Sequence, residues 1–400
     1  MIYTVIAKPT KDCNADCSYC ASPPDKAVKW TIDEFKKIFD NISPLLSEQA
    51  VIIWHGGEPM LMGPDFYRQA YEYAKKTKPE IKFSMQTNIL LYNKKNWKSV
   101  FSEIMKGRIS TSFDPDESSR TVKGSTEKYS RQFNKKLNEL IRDGFHPLVI
   151  GTYTEQTIDF ALKMYEKSIN FKEGCFDLRF NYRYPAGRNS GGGAAISPGT
   201  FGKMLIEIYN QWIIDCPDFN VTPLDLMLKK CIGVGQGQCP WTRKCGGKFI
   251  SIEPNGDVFN CGEFADLSDD GFKFGNVKSG FISNGRNEKI IGFSRKPKKQ
   301  DELISEIMQS HAARLMKRRV FDLPKSCIEC PHFKECEGGC MRDAELFDRG
   351  LGGKFFYCES WFMVFKRIKE SIISGEADGV LTKLGYSPAE SKRYVFSNIL

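Results

Sequence analysis

The chain has 400 residues, 41% hydrophobic and 27% charged, the balance of an ordinary globular protein with room for two domains or for one large barrel and an appendage. Its apolar runs are far too short to span a bilayer, and its first cysteines come too early for a removable signal peptide, so a cytoplasmic protein without membrane attachment is expected. The formal net charge is +9, yet Lys and Arg are dense only at Arg295 to Lys299 and Lys317 to Arg319. Such runs suit a solvated face or a groove for an acidic peptide, and no nucleic-acid partner is expected.

Fourteen cysteines without a secretion signal argue for metal ligation over a disulfide framework. Eleven fall into groups with ligand-like spacing, while Cys175, Cys216 and Cys231 stand apart and read as small buried apolar side chains.

In chain order, the apolar strand Ile2 to Ala7 is followed by Cys13-x3-Cys17-x2-Cys20. Three thiolates on one tight loop can hold three irons of a [4Fe-4S] cube and leave one iron open to a non-protein ligand. Tyr19 is placed to shield the flank of such a cluster. A zinc knuckle would need a fourth ligand, which here would have to be Asp12 or Asp16. Thr31-Ile-Asp-Glu34 then forms a capping box, opening a helix with Ile32, Phe35, Ile38, Phe39 and Ile42 at helical spacing.

Val51 to Trp54 is a buried strand that ends in Gly56-Gly57-Glu58-Pro59, and a helix follows around Phe66 to Lys75. The strand Ile81 to Met85 closes on Gln86-Thr87-Asn88, and Ile109 to Phe113 closes on Ser112-Phe113-Asp114. A helix over Tyr129 to Ile141, a strand over Leu148 to Tyr153, a helix over Thr154 to Lys167 and a strand over Phe176 to Tyr182 complete six βα units. Six units in about 190 residues are too few for a closed eight-stranded barrel, so a partial (β/α)6 barrel is expected, with its site at the carboxyl ends of the strands.

Ser190-Gly191-Gly192-Gly193 breaks the pattern, and Ser197-Pro198 opens a helix through Trp212. Cys239, Cys245 and Cys261 surround a hairpin, Lys248 to Asn260, that turns at Asn255-Gly256. Cys327-x2-Cys330-x5-Cys336-x3-Cys340 and then Cys358 follow, so the later cysteines make two complete sets of four. Between the sets, Glu302 to Arg319 reads as one amphipathic helix with Ile304, Ile307, Met308, His311 and Leu315 on its apolar face, an insertion expected to shape substrate access. The implied division is 1–190 barrel, 191–230 helical linker, 231–363 cysteine-rich domain with insertion 265–326, and 364–400 C-terminal helices.

The first cysteine motif, with its aromatic residue before the third Cys, resembles the radical S-adenosylmethionine (SAM) enzymes. That resemblance implies that the open iron binds SAM and that one electron cleaves it to a 5′-deoxyadenosyl radical. Gly56, Gly57, Glu58 and Pro59 resemble the family's GGEP motif, which holds the amino group of SAM. Gln86 and Asn88 resemble the QTN of the peptide-modifying branch, with Ile89 where glycine is usual, and Ser112 matches the Ser of its S-x-D, with Pro115 where glycine is usual.

The later cysteine order resembles the SPASM domain, and over nearly the whole chain the pattern is that of the anaerobic sulfatase-maturating enzymes. Carried over, auxiliary cluster I takes Cys239, Cys245, Cys261 and Cys340, and auxiliary cluster II takes Cys327, Cys330, Cys336 and Cys358. The resemblance therefore implies three [4Fe-4S] clusters and SAM, with two structural zinc sites as the competing reading of the later cysteines. In the sulfatase maturases an Asp follows the hairpin's last cysteine and takes the substrate's proton. Here Cys261 is followed by Gly262 and Glu263, which makes Glu263 the candidate base.

The expected function is an enzyme that abstracts hydrogen from a ribosomally synthesised peptide and oxidises it to a cyclophane-type carbon–carbon or thioether crosslink. A sulfatase maturase forming formylglycine and a non-catalytic multi-cluster electron-transfer protein are the alternatives. The partners implied are a precursor peptide or protein substrate and a flavodoxin- or ferredoxin-type electron donor. No separate leader-binding domain is recognised before Met1 to Ala7, so peptide recognition is expected at the barrel mouth, the cluster domain, the insertion or another chain.

Overall fold

The computed structural model of the protein describes residues 1–22, 28–114, 119–172, 174–183, 185–189, 195–235, 239–267, 270–283, 300–347 and 349–398. Seven parallel strands stand in sequence order: β1 (Ile2–Ala7), β2 (Leu46–Trp54), β3 (Lys82–Gln86), β4 (Ile109–Ser112), β5 (Leu148–Tyr153), β6 (Asp177–Tyr182) and the short β7 (Val221–Thr222). Helices α1 (Ile32–Ile42), α2 (Pro64–Thr77), α3 (Lys94–Ser99), α4 (Thr126–Arg142), α5 (Phe160–Ile169) and α6 (Pro198–Asp215) make the crossovers, and α7 (Leu224–Cys231) follows β7. Sequential parallel order with helical crossovers is the winding of an open barrel, so the expected α/β partial barrel is present with one strand beyond the expected six.

Local chemistry sets these elements. Thr31 and Glu34 form the reciprocal cap of α1, whose Phe35, Ile38, Phe39 and Ile42 are buried. Trp54, at the end of β2, is the hub of the packing beneath α1 and α2, with the rings of Phe35, Phe66 and Tyr67 at 5.5, 5.7 and 5.2 Å. Ser197 caps α6 by accepting from the Thr200 amide, with Pro198 in the first turn. Helix α5 starts at Phe160, later than the expected Thr154. Thr154 and Thr157 instead bond each other through side chain and backbone, closing a polar turn that competes with helix.

The cysteine-rich region joins the same sheet. Strand β8 (Phe249–Ile252) pairs in parallel with β1 and turns at Asn255-Gly256 into antiparallel β9 (Asp257–Phe259), which β10 (Gly275–Asn276) and β11 (Phe281–Ile282) extend. After β9 comes the short helix α8 (Gly262–Ala265).

The expected single helix over Glu302 to Arg319 is two, α9 (Gln300–Ile307) and α10 (His311–Asp322), because Ser310 caps the second by accepting from the Ala313 amide. His311 is exposed, while Ile304, Ile307 and Met316 are fully buried. Helix α9 packs on α1 and on the turn leading into β2, at the end of the sheet opposite the loops after the strands. Helix α9 of the insertion therefore adds core at that end. Arg295 to Lys299 and Gly191 to Gly193 lie outside the described residues.

Short helices α11 (Lys325–Ile328), α12 (Phe333–Cys336) and α13 (Met341–Leu346) carry the last cysteines, and α14 (Cys358–Ser374), α15 (Asp378–Lys383) and α16 (Pro388–Phe396) finish the chain. Helix α14 lies along α6, tied by Ser360 to the Pro198 carbonyl at 2.5 Å and by Tyr209 to Ser371 at 2.6 Å. Among the described residues no helix is long and apolar enough to cross a membrane. Of the isolated cysteines, Cys231 is buried as expected, whereas Cys175 and Cys216 are half-buried.

Candidate active site

The loops after β1, β2 and β3 converge. Gly57 donates to the Thr10 carbonyl at 3.0 Å and Glu58 to the Asp12 carbonyl at 2.8 Å, so the glycine turn lies directly on the cysteine loop. A Cβ on Gly56, whose φ is +115°, would stand 2.4 Å from the Thr10 oxygen, and one on Gly57 would stand 2.2 Å from that of Asp12. Glycine is needed here for the approach of backbone to backbone. With these amides committed, it is the carbonyls of the turn that can accept from an ammonium group.

Glu58 is wholly buried and acts as the lock between two loops. Its carboxylate accepts from the Met60 amide at 2.8 Å, the Thr87 hydroxyl at 2.6 Å and the Asn88 amide at 2.7 Å. Burial pushes its pKa up to about 7 against these donors. Pro59 begins the turn that Glu58 caps, and its carbonyl accepts from Tyr67 at 2.5 Å. Ile89 has φ 56° and is fully buried, so the backbone keeps a left-handed shape where the resemblance expects glycine, although a branched side chain strains there.

Asn88 donates to Asn14 at 2.6 Å and points its amide toward the Cys13 thiol, 3.9 Å away. Gln86 is hydrogen-bonded to the His55 ring. Ser112 ends β4 half-buried, its carbonyl accepting from Tyr129 at 3.0 Å. Tyr19 is tied to the buried Asp114 and to Arg120, with Arg183 over its ring face at 4.3 Å. Asp114, which pairs with Arg120 at 2.7 Å and accepts from the Thr152 amide at 2.8 Å, anchors the cysteine loop to β4 and β5. Its place at a strand's end is visible in the sequence, but its partner Arg120, and Arg183 over the Tyr19 ring, carry no motif.

Cys13, Cys17 and Cys20 are half-buried on this loop and lie within one another's fields. Burial pushes the Cys13 thiol up to about 12 and raises that of Cys17 as well, against the opposing pull of Arg120 and Arg188. Thiols that burial keeps neutral, beside two guanidinium groups, fit a group that brings its own positive charge.

The later cysteines lie within one another's electrostatic reach, Cys239, Cys245, Cys261 and Cys340 in one group and Cys327, Cys330, Cys336 and Cys358 in the other. Among the described residues no three His, Cys, Asp or Glu side chains converge on a single-ion site.

Beside the first set, Lys8 at the end of β1 is 1% exposed, with its Nζ 2.9 Å from Glu253, 3.2 Å from Asp266 and 3.2 Å from the Gly262 carbonyl. A Cβ on Gly262 would meet Lys8 Cε at 3.2 Å, so the lysine occupies the space where the sulfatase-maturase pattern expects an Asp side chain. Glu263 is 43% exposed and paired with the Arg342 guanidinium, a partner that sequence spacing does not suggest. Arg342 also meets the buried Asp343 at 2.8 Å, and Asp343 accepts from Tyr182 at the end of β6.

Residues 7–161 match the Radical SAM superfamily. These residues form a Radical SAM domain. Such a domain implies a [4Fe-4S] cluster and SAM, and the three half-buried thiols fit that group. The chain is 23% identical, over 92% of its own length and 89% of the relative's, to a serine-type anaerobic sulfatase-maturating enzyme of Bacteroides thetaiotaomicron. It is 22% identical to a cysteine-type anaerobic sulfatase-maturating enzyme of Clostridium novyi, over 91% and 94% of the two chains.

The solved structure of anSMEcpe with bound AdoMet and Cp18Cys peptide aligns with TM-score 0.70 at 19% identity, covering 94% of this chain and 99% of that one. Streptococcus suis SuiB bound to its precursor peptide SuiA aligns with TM-score 0.58 at 13% identity, covering 90% and 76%. These two likenesses show that the chain shares their fold.

Proposed function

We propose that this protein is a radical SAM peptide maturase that oxidises a ribosomally synthesised peptide to a crosslinked product, of the cyclophane or thioether kind. The carrying observation is the parallel pairing of β8 with β1, which sets the hairpin ending at Cys261 beside the strand leading to Cys13. Substrate radical and electron acceptor would then share one mouth.

In this reading Cys13, Cys17 and Cys20 hold the cluster whose open iron, with SAM, supplies a hydrogen-abstracting 5′-deoxyadenosyl radical. Gly56 and Gly57 offer carbonyls to the SAM amino group, Glu58 and Pro59 fix that turn, and Gln86, Asn88 and Ser112 face the same ligand from the neighbouring strand ends. Cys239, Cys245, Cys261 and Cys340 ligate auxiliary cluster I, and Cys327, Cys330, Cys336 and Cys358 ligate auxiliary cluster II. A flavodoxin- or ferredoxin-type protein is the electron donor. Formylglycine formation on a sulfatase is the second reading, favoured by the names of the curated relatives and opposed by Gly262 and Lys8 in the place of the expected Asp.

The test is anaerobic reconstitution with SAM, a reductant and two peptides, one the product of any short gene found beside this one and one carrying a sulfatase motif. We expect about twelve irons per chain, 5′-deoxyadenosine, and loss of hydrogen from the first peptide with no aldehyde on the second. Changing Cys13, Cys17 and Cys20 together to Ala should remove about a third of the iron and all SAM cleavage. Aldehyde on the sulfatase peptide alone would select the second reading, and cleavage surviving the triple change would end both.

A further inference from the structure

Arg319 lies on α10 and is 1% exposed, among the largest wholly buried side chains in the protein. Its guanidinium donates to the Gly338 carbonyl at 2.6 Å, to those of Gly339 and Gly353 at 3.4 and 3.3 Å, and to that of Leu351. Gly338 and Gly339 form the turn between Cys336 and Cys340, and Leu351 and Gly353 lie on the path from Cys340 to Cys358. One side chain therefore holds both segments through which the two cysteine sets cross.

Among the described residues no carboxylate stands within ion-pair distance of Arg319. A buried cation without a counter-ion is costly, by several kcal/mol as an order of magnitude. The groups its charge does face are the thiols of Cys340 and Cys245 from one set and of Cys327 and Cys336 from the other.

We propose that Arg319 is a shared electrostatic clamp, a buried guanidinium set between the two auxiliary clusters that bridges their ligand loops and favours the reduced state of both. The inference rests on the cluster ligation proposed above. A [4Fe-4S] cube with four thiolates is anionic, and reduction adds a further negative charge, so a fixed cation shared by two cubes raises both reduction potentials. Its neutralisation also falls to the clusters, although α10 bears no ligand. Arg319 is thus a positioning residue, acting through the clusters.

The experiment is potentiometric titration followed by electron paramagnetic resonance, on the reconstituted full chain and on Arg319→Gln and Arg319→Lys. Gln keeps N–H donors for the carbonyls and removes the charge, whereas Lys keeps the charge and gives up the fork. For Arg319→Gln we expect reduction of both auxiliary clusters to become at least tenfold less favourable, about 59 mV for one electron, with the cluster of Cys13, Cys17 and Cys20 unmoved. Arg319→Lys should recover most of that shift.

Unchanged auxiliary potentials in Arg319→Gln at full iron content would overturn the proposal and leave the ligation reading standing. Failure of both variants to take up auxiliary iron would also overturn it, because the side chain would then be needed for its shape and not its charge. A parent protein with only one cluster's iron would remove the ligation reading, and the clamp with it.

Discussion

Lys8 and Glu253 meet at 2.9 Å in the interior, 1% and 6% exposed, and join the first barrel strand to the hairpin of the cysteine-rich region. Asp266 completes the group from the end of α8. Removing one partner of a buried ion pair leaves the others uncompensated, so Lys8→Met should lower stability by about 3–5 kcal/mol. Lys11 touches the same Glu253 at 3.0 Å from a more exposed position, and Lys11→Met should cost under about 1 kcal/mol. Urea midpoints of the two variants beside the parent check this, and equal effects would show that the group is solvated.

His55 gives a stability term with a definite sign. Burial, followed by the Lys8 cation, lowers its pKa from 6.5 to about 4. The folded chain keeps the ring neutral while the unfolded chain takes up a proton below pH 6.5, so this contribution is complete above 6.5 and is lost as pH falls toward 4. By pH 5.5 the loss is about 1.3 kcal/mol relative to pH 7.5. The parent should therefore lose about that much more than His55→Gln over the same interval, measured by urea unfolding at both pH values; parallel losses would place the ring in water.

The proposed crossed ligation makes separate predictions. Cys340→Ala should disturb the spectrum of the cluster held by Cys239, Cys245 and Cys261, and Cys358→Ala that of the cluster held by Cys327, Cys330 and Cys336. Each variant should lose up to about four irons and leave the other auxiliary signal in place. Finding that Cys340 and Cys358 affect the same cluster would undo the assignment.

Much of the fold and of the site is legible in the sequence, for reasons that differ by element. The capping box at Thr31 and the alternation of strands and helices follow from local rules, and the cysteine spacings stand out because a cluster constrains a loop directly. The break at Ser310 is hidden because Ile304, Ile307 and Met308 continue a helical period up to a residue that also caps. Lys8, Arg319 and Arg342 are invisible as site residues because each acts across the fold on partners 245, 19 and 79 positions away. Nothing near a charged residue in sequence tells whether tertiary packing will bury it. Gly56 and Gly57 mark a place of close approach, as expected, but what approaches is the cysteine loop.

Glu263 is the remaining candidate for the proton that leaves as the substrate radical is oxidised. A base must come within about 3 Å of that proton or reach it through one water. Glu263 is two residues beyond Cys261, open on one side, and held by Arg342 on the other, so an electron could leave through the cluster as the proton arrives at the carboxylate. Glu263→Gln should leave iron content and uncoupled 5′-deoxyadenosine close to the parent's while modified peptide falls on the order of 100-fold, the usual worth of a positioned base. Mass spectrometry of the peptide beside chromatography of 5′-deoxyadenosine reads both quantities in one reaction. If the variant modifies peptide at the parent rate, Glu263 is a surface partner of Arg342, and the base passes to Asp266, which burial pushes above its ordinary range. Asp266→Asn should then show the hundredfold loss instead.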